Sequence, residues 1–314
     1  MSWNYNISKL GKNSFILTNQ NPYLKKSIEE FQFMYQPKLD LTIPFQYGIE
    51  IEFTEASLEE VEGKIKEFYQ VSELVYGQDW YVDVDESVTD YHYGGELKSP
   101  IFYNDENDWY ELKQLCEIVQ SLEGTTNEKC SIHLHVDFHR LDFKLEDWNR
   151  FLMLWCAYED VIYEFSRVGK EKIRDYYLEY AIPIRDYILN VMSKGKASDA
   201  ITGLVCNLDK SCCLNMKNLY HFLSGVSSTL PTIEIRSCNG TLNPILIQNI
   251  VRLFAKMLEA VKLTEKELDF YIEKRLYEEC PDCCEKALEL SNLIFSNDFE
   301  KLSFLKQCMM YERK

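Results

Sequence analysis

The stretch Tyr47-Gly48-Ile49-Glu50-Ile51-Glu52-Phe53 alternates apolar and acidic side chains after its glycine. Side chains of a strand point to opposite faces in turn, so Tyr47, Ile49, Ile51 and Phe53 share one side, and Glu50 and Glu52 share the other. The same alternation recurs in Ser131-Ile132-His133-Leu134-His135-Val136-Asp137-Phe138, where His133, His135 and Asp137 oppose the apolar set. In Thr232-Ile233-Glu234-Ile235-Arg236 the polar side holds Glu234 and Arg236, and in Trp80-Tyr81-Val82-Asp83-Val84-Asp85 it holds Asp83 and Asp85. The spacing predicts neighbouring strands in one sheet, with Glu50, His133 and Glu234 on a common face.

A solvated strand face usually carries Thr, Lys, Ser and Gln. Here the polar positions hold almost nothing but Glu, Asp and His. Singly, Glu-x-Glu reads as an ordinary solvated face, and His-x-His as structural or as a zinc pair. Jointly, converging carboxylates cannot all ionise without cations. Divalent metal resolves the conflict, and carboxylates with one or two imidazoles suit Mg²⁺ or Mn²⁺ better than a closed zinc site.

Outward from these strands, Ser57 to Glu60 forms a capping box that opens a helix to about Gln70. Turn-like residues surround Tyr93-Gly94-Gly95, and Glu96 to Ser99 extends into Pro100. Helical periodicity covers about 106–123, then Leu145 to about Met192 with a break near Pro183, then Pro244 to about Lys262, and then the rest of the chain. A shorter extended piece is expected at Leu214 to Asn218. Residues 1–45 carry turn signals and read as an irregular segment with one hairpin. Strands and helices alternate without a βαβ rhythm, which predicts an α+β fold with a mostly antiparallel sheet.

Of 314 residues, 46% are apolar, enough for a substantial core. The net charge of −17 repels phosphate backbones and anionic membranes, so neither nucleic acid nor a membrane is an expected partner. No apolar run approaches the ~20 residues that cross a bilayer, and no secretory leader is visible, so a cytoplasmic location is expected. The 11 cysteines are then reduced thiols. Cys280, Cys283 and Cys284 have zinc-like spacing but no second pair nearby, and a helix start with buried thiols explains them better.

The ordered set Gly48-Ile49-Glu50-Ile51-Glu52-Phe53, Asp85-x-Ser87, Gly95-Glu96-Leu97-Lys98-Ser99-Pro100, His133-x-His135, Asn215, Ile233-Glu234-Ile235-Arg236 and Gly240-Thr241-Leu242 resembles the amidoligases. These are carboxylate–amine ligases of the glutamine synthetase and glutamate–cysteine ligase superfamily. The resemblance implies a glutamine synthetase-like antiparallel sheet, curved into a half-barrel with flanking helices, that holds ATP and divalent metal. It implies an N-terminal segment 1–45, a catalytic domain 46–262 and a helical C-terminal extension 263–314. By that similarity Glu50, Glu52, Glu96, His133 and Glu234 are metal ligands. His135 contacts the transferred phosphate, Arg236 neutralises the γ-phosphoryl group, and Asp85 is a ligand or an amine-site carboxylate. Glu86 and Ser131 depart from the family pattern, which favours Gly at both; at Ser131 the expected effect is on backbone geometry alone.

The residues fit such chemistry on their own terms. A carboxylate condenses with an amine only after activation, and phosphorylation by ATP gives an acyl phosphate whose phosphate leaves readily. That transfer needs charge neutralisation and alignment more than a protein nucleophile. Lys98 could pair with Glu96 or touch phosphate, and Lys210 could reach a nucleotide. Arg167, Arg174, Arg185 and Arg252 lie on expected helices and read as ion-pair residues; Tyr176, Tyr177, Tyr180 and Tyr187 read as packing. The expected substrates are small-molecule or peptide carboxylates and amines. Two other classes compete: a metal-dependent hydrolase in which His133, His135 and carboxylates activate water, and an inactive binding module of the same fold.

Overall fold

The computed structural model describes residues 22–88, 93–170, 177–193, 205–226, 231–263, 265–277 and 283–310. Six strands form one sheet: β1 Tyr47–Ser57, β2 Tyr81–Asp83, β3 Tyr93–Lys98, β4 Ser131–Asp137, β5 Leu214–Asn215 and β6 Thr232–Asn239. Their order is β2-β3-β1-β4-β6-β5, and every neighbouring pair is antiparallel. The α+β expectation holds.

Alternation decides which face goes inward. Ile49, Ile51, Phe53, Leu97, Ile132, Leu134, Val136, Ile233 and Ile235 are all buried in the core. The helices are α1 Pro22–Glu30, α2 Leu58–Tyr69, α3 Glu106–Ser121, α4 Leu145–Ser166, α5 Tyr177–Tyr180, α6 Arg185–Ser193, α7 Lys217–Leu223, α8 Pro244–Leu263, α9 Glu265–Tyr277, α10 Cys283–Ile294 and α11 Asp298–Met309. Helix α4 packs on β6 and on α8, with Trp155 stacked on Phe254 at 5.5 Å between ring centroids. Helices α9, α10 and α11 all pack against α4 and α8. Among the described residues, no helix is long and apolar enough to cross a membrane.

Ser57 caps α2 as its sequence signal requires, accepting from Glu60 N at 3.4 Å. Several boundaries differ from the sequence reading. Gly94 and Gly95 belong to β3 rather than to a turn. A Cβ on Gly95 would meet Asp83 O at 2.6 Å, and one on Gly94, whose φ is +82°, would meet Phe53 O at 2.8 Å. Glycine here lets β3 lie tightly between its neighbours. The helix expected to run on towards Pro183 ends instead at Ser166, because Val168 (φ 45°) and Gly169 (φ 82°) turn left-handed. Strand β5 is only Leu214–Asn215, and α7 begins at Lys217. Among the described residues before 46 there is a helix, α1, and no hairpin. Arg174, Tyr176 and Cys280 lie outside the described residues.

Strand β6 carries a bulge. Ile132 pairs with Cys238 and Leu134 with Ile235, so Arg236 and Ser237 together oppose His133.

Candidate active site

The register delivers one polar row after another to the face away from the core. Glu50 sits opposite His133 on one side and Lys98 on the other. Glu52 sits opposite Glu96, and Glu96 opposite Asp83. His135 sits opposite Glu234, and Glu234 opposite Asn215. The sequence expectation that Glu50, His133 and Glu234 share a face is met in the geometry.

His133 is the hub. Its Nδ1 lies 3.2 Å from Glu50 Oε2, 3.6 Å from Glu234 Oε1 and 3.7 Å from Glu96 Oε1. Ser131 fixes the ring. Glu52 accepts from Ser131 N at 2.7 Å and from the Ser131 hydroxyl at 2.6 Å. With its hydrogen given to Glu52, that hydroxyl is left to accept from His133 Nε2 at 2.9 Å. Nδ1 then faces the space among the carboxylates of Glu50, Glu96 and Glu234.

Three ligand sets overlap here: Glu50, His135 and Glu234; Glu50, Glu96 and His133; and Glu52, Asp85 and Glu96. Within each set the ligand atoms lie within 4.8 Å of one another. Glu52, Glu96, His133 and Glu234 are buried. Burial and the Glu50 charge push the Glu96 carboxyl up to about 9, against the pull of Lys98. Glu50 goes the other way: burial would raise it, but the His133 hydrogen bond and the charges of His135 and His133 hold it well below the usual range. Glu234 is also lowered, because the charges of His133 and Arg236 outweigh its burial.

The donor set fits a divalent cation. His135 Nε2 is buried without a hydrogen bond; Glu50 Oε2 is 3.1 Å away, near enough for charge attraction but not aligned as an acceptor. A buried ring nitrogen aimed at carboxylates is what a shared ion would satisfy.

A cleft of about 170 Å³ adjoins this cluster, lined by Glu52, Asp85, Ser87, Lys129, Tyr180, Lys210 and Arg236. Arg236 pairs with Glu234 and donates from Nε to the Tyr180 carbonyl at 3.3 Å. Lys98 bridges Glu96 and Asp83 at 3.0 Å each. Asp85 follows β2, and its Oδ1 accepts from Ser87 N and from the Ser87 hydroxyl. Asp137, on the same sequence face, accepts from His139 N and caps a turn instead. Arg167 pairs with Glu164, and buried Arg252 donates to Asn249 and Gln36, as an ion-pair or packing role requires.

Sequence reasoning left three members without the roles that the structure shows. Ser131 acts through its side chain, not its backbone alone; sharing parity with His133 was the available signal. Asn215 donates to Glu234 at 2.8 Å. Tyr180, read as packing, is 46% exposed and lines the cleft.

An antiparallel sheet that gathers carboxylates and imidazoles on one face, beside an arginine and lysines, defines an enzyme-type centre for handling anions with cations. Residues 44–258 match the family described as "putative amidoligase enzyme", and the chain belongs to that family. Membership places it among ligase-type enzymes. The match takes in every strand and every residue of the cluster. No curated protein matches the sequence.

Proposed function

We propose that the protein is an ATP-dependent carboxylate–amine ligase that forms an amide through an acyl phosphate. The overlap of three ligand sets on one face, with Arg236 and Lys210 at its border, carries this reading. Glu50, Glu52, Glu96, His133 and Glu234 would hold Mg²⁺ or Mn²⁺. Bound there, the ions supply charge neutralisation and Lewis-acid polarisation of the phosphates.

The chain's own groups do the rest. Arg236 offers a planar donor fork to the γ-phosphoryl oxygens, His135 lies at the transferred phosphate, and Lys98 and Lys210 add positive charge along the nucleotide. An oxygen of the substrate acid attacks the γ-phosphorus and ADP leaves. The amine nitrogen then attacks the acyl carbon, phosphate departs, and Asp85 takes the proton from nitrogen. In this reading the sheet corresponds to the half-barrel of glutamine synthetase-like ligases, within a catalytic domain 46–262 that carries the helical extension 263–314.

The test is nucleotide dependence. ATP should raise the melting temperature only with Mg²⁺ or Mn²⁺, and ADP should appear only when an acid and an amine are both present. Melting indifferent to nucleotide, together with metal-dependent hydrolysis of an amide or ester, would establish the hydrolase instead.

A further inference from the structure

A second cavity, of about 370 Å³, is walled chiefly by Ile182, Pro183, Ile184, Tyr187, Leu208 and Cys212. Two paired stretches build it. Ile182 N donates to Ser211 O at 2.8 Å and Cys213 N to Ile182 O at 3.0 Å, a short bridge just before β5. The polar cleft takes Tyr180 and Lys210 from the same two stretches, two residues before Ile182 and one before Ser211.

This wall is fixed from behind. Glu159, fully buried in α4, accepts from Ile184 N at 2.7 Å and from Trp155 Nε1 at 3.2 Å. The Tyr163 hydroxyl donates to the Ala181 carbonyl. Committing a buried carboxylate to frame a loop is costly, and a gap left by loose packing would not be framed so. The polar groups at the cavity are engaged: Asn207 Nδ2 donates to the Tyr187 hydroxyl at 2.8 Å, and the Ser211 hydroxyl to Asp209 at 2.5 Å. What remains for an occupant is mainly aliphatic carbon, a thiol and a tyrosine ring.

We propose that this cavity seats the apolar tail of the acid whose carboxylate meets the γ-phosphoryl group at Arg236, so the carboxylate substrate carries an aliphatic or aromatic side chain. The assignment rests on the ligase reading above. Charge selects the acid over the amine. Lys210 directly precedes Ser211 of the cavity wall, and Arg236 is held by Tyr180, two residues before Ile182. Asp85, which suits an amine, lines the same cleft but enters it from the turn after β2, whereas Lys210 comes from the turn before β5 at the other edge of the sheet.

The test titrates straight-chain carboxylates from acetate to octanoate, and alkylamines of equal length, into the full chain by calorimetry with Mg²⁺ and a non-hydrolysable ATP analogue. Carboxylate affinity should rise about fourfold for each added methylene until the cavity is filled, then level off. Ile182→Trp should abolish that rise. Ile182→Ala, the smaller change, should move the plateau to a longer chain. Affinity independent of carboxylate length, a rise untouched by both substitutions, or a rise confined to the amines would each overturn the proposal. ADP release on the same ligands separates the two readings. Release that ignores chain length, with flat binding, keeps the ligase and removes the tail site; a chain-length rise without ADP release does the reverse.

Discussion

Glu52 and Glu96 face each other directly across the β1–β3 pair, two carboxylates in one cross-strand position. Like charges so placed repel unless a cation or a proton intervenes. In the metal-free protein Glu96, pushed up to about 9, holds a proton at neutral pH. Glu96→Gln therefore replaces one neutral group by another, and metal-free stability should stay within about 1 kcal/mol or rise. Affinity for Mn²⁺ should fall roughly tenfold or more, since a ligand is gone. Melting in chelator and calorimetric titration of Mn²⁺ check both halves; a large loss of stability with unchanged affinity would make Glu96 structural.

Ser131→Ala removes the hydroxyl shared by Glu52 and His133 while keeping the Ser131 N–H to Glu52. Outer groups that orient ligands typically govern about 10–100-fold in metal affinity. Weakened Mn²⁺ binding with a secondary-structure signal like that of the parent is the expected outcome. Threonine, which restores the hydroxyl, should recover most of it.

Arg236→Lys keeps the charge beside Glu234 but loses the planar fork and the contact to the Tyr180 carbonyl. Phosphoryl transfer should slow by roughly one to three powers of ten with a nearly unchanged melting temperature. Melting and ATP consumption, measured on one preparation, decide the matter: a large drop in melting with full turnover would leave an ion-pair clamp and nothing more.

Glu159 gives a pH signature apart from the metal cluster. Burial raises its carboxyl to about 7, although the Ile184 and Arg185 amides and Trp155 pull it down. The folded state thus keeps a proton that the unfolded chain loses above about 4.5. Stability from this group is full at low pH and is lost as pH rises to about 7, by something like 3 kcal/mol, then stays level. Urea unfolding across pH 5 to 8 should show that slope in the parent and less of it in Glu159→Gln.

The strands were legible because strict alternation does not fit a helix: an apolar residue at every second position of β1, β4 and β6 fixed both the inward face and the residues opposite it. Glu50, His133 and Glu234 could be placed together on that basis alone. The partners of Ser131 could not, since they depend on which residue of β1 lies opposite, and register is set by pairing between distant strands. The stretch after Ser166 misled for a local reason. Its apolar spacing continues while Val168 and Gly169 leave the helix, although Gly169 was the visible stop signal. Tyr180 was read as packing because its spacing from Tyr176, Tyr177 and Tyr187 fits a helix face, whereas a buried glutamate on another helix determines the path of the chain at Ile184.

The bulge in β6 gives that strand two reading frames. Up to Arg236 the even-numbered residues look onto the site; beyond Ser237 the odd-numbered ones do, with Asn239 opposite Ser131 and Cys238 returned to the core beside Ile132. A regular ladder through the same residues would set Cys238 opposite Ser131 and turn Asn239 towards the core. Removing one residue at 237 would take out the bulge and leave Arg236 alone opposite His133, with Cys238 still beside Ile132 and Asn239 still opposite Ser131. The bulge is thus what lets Arg236 and Asn239, three residues apart, look onto one face.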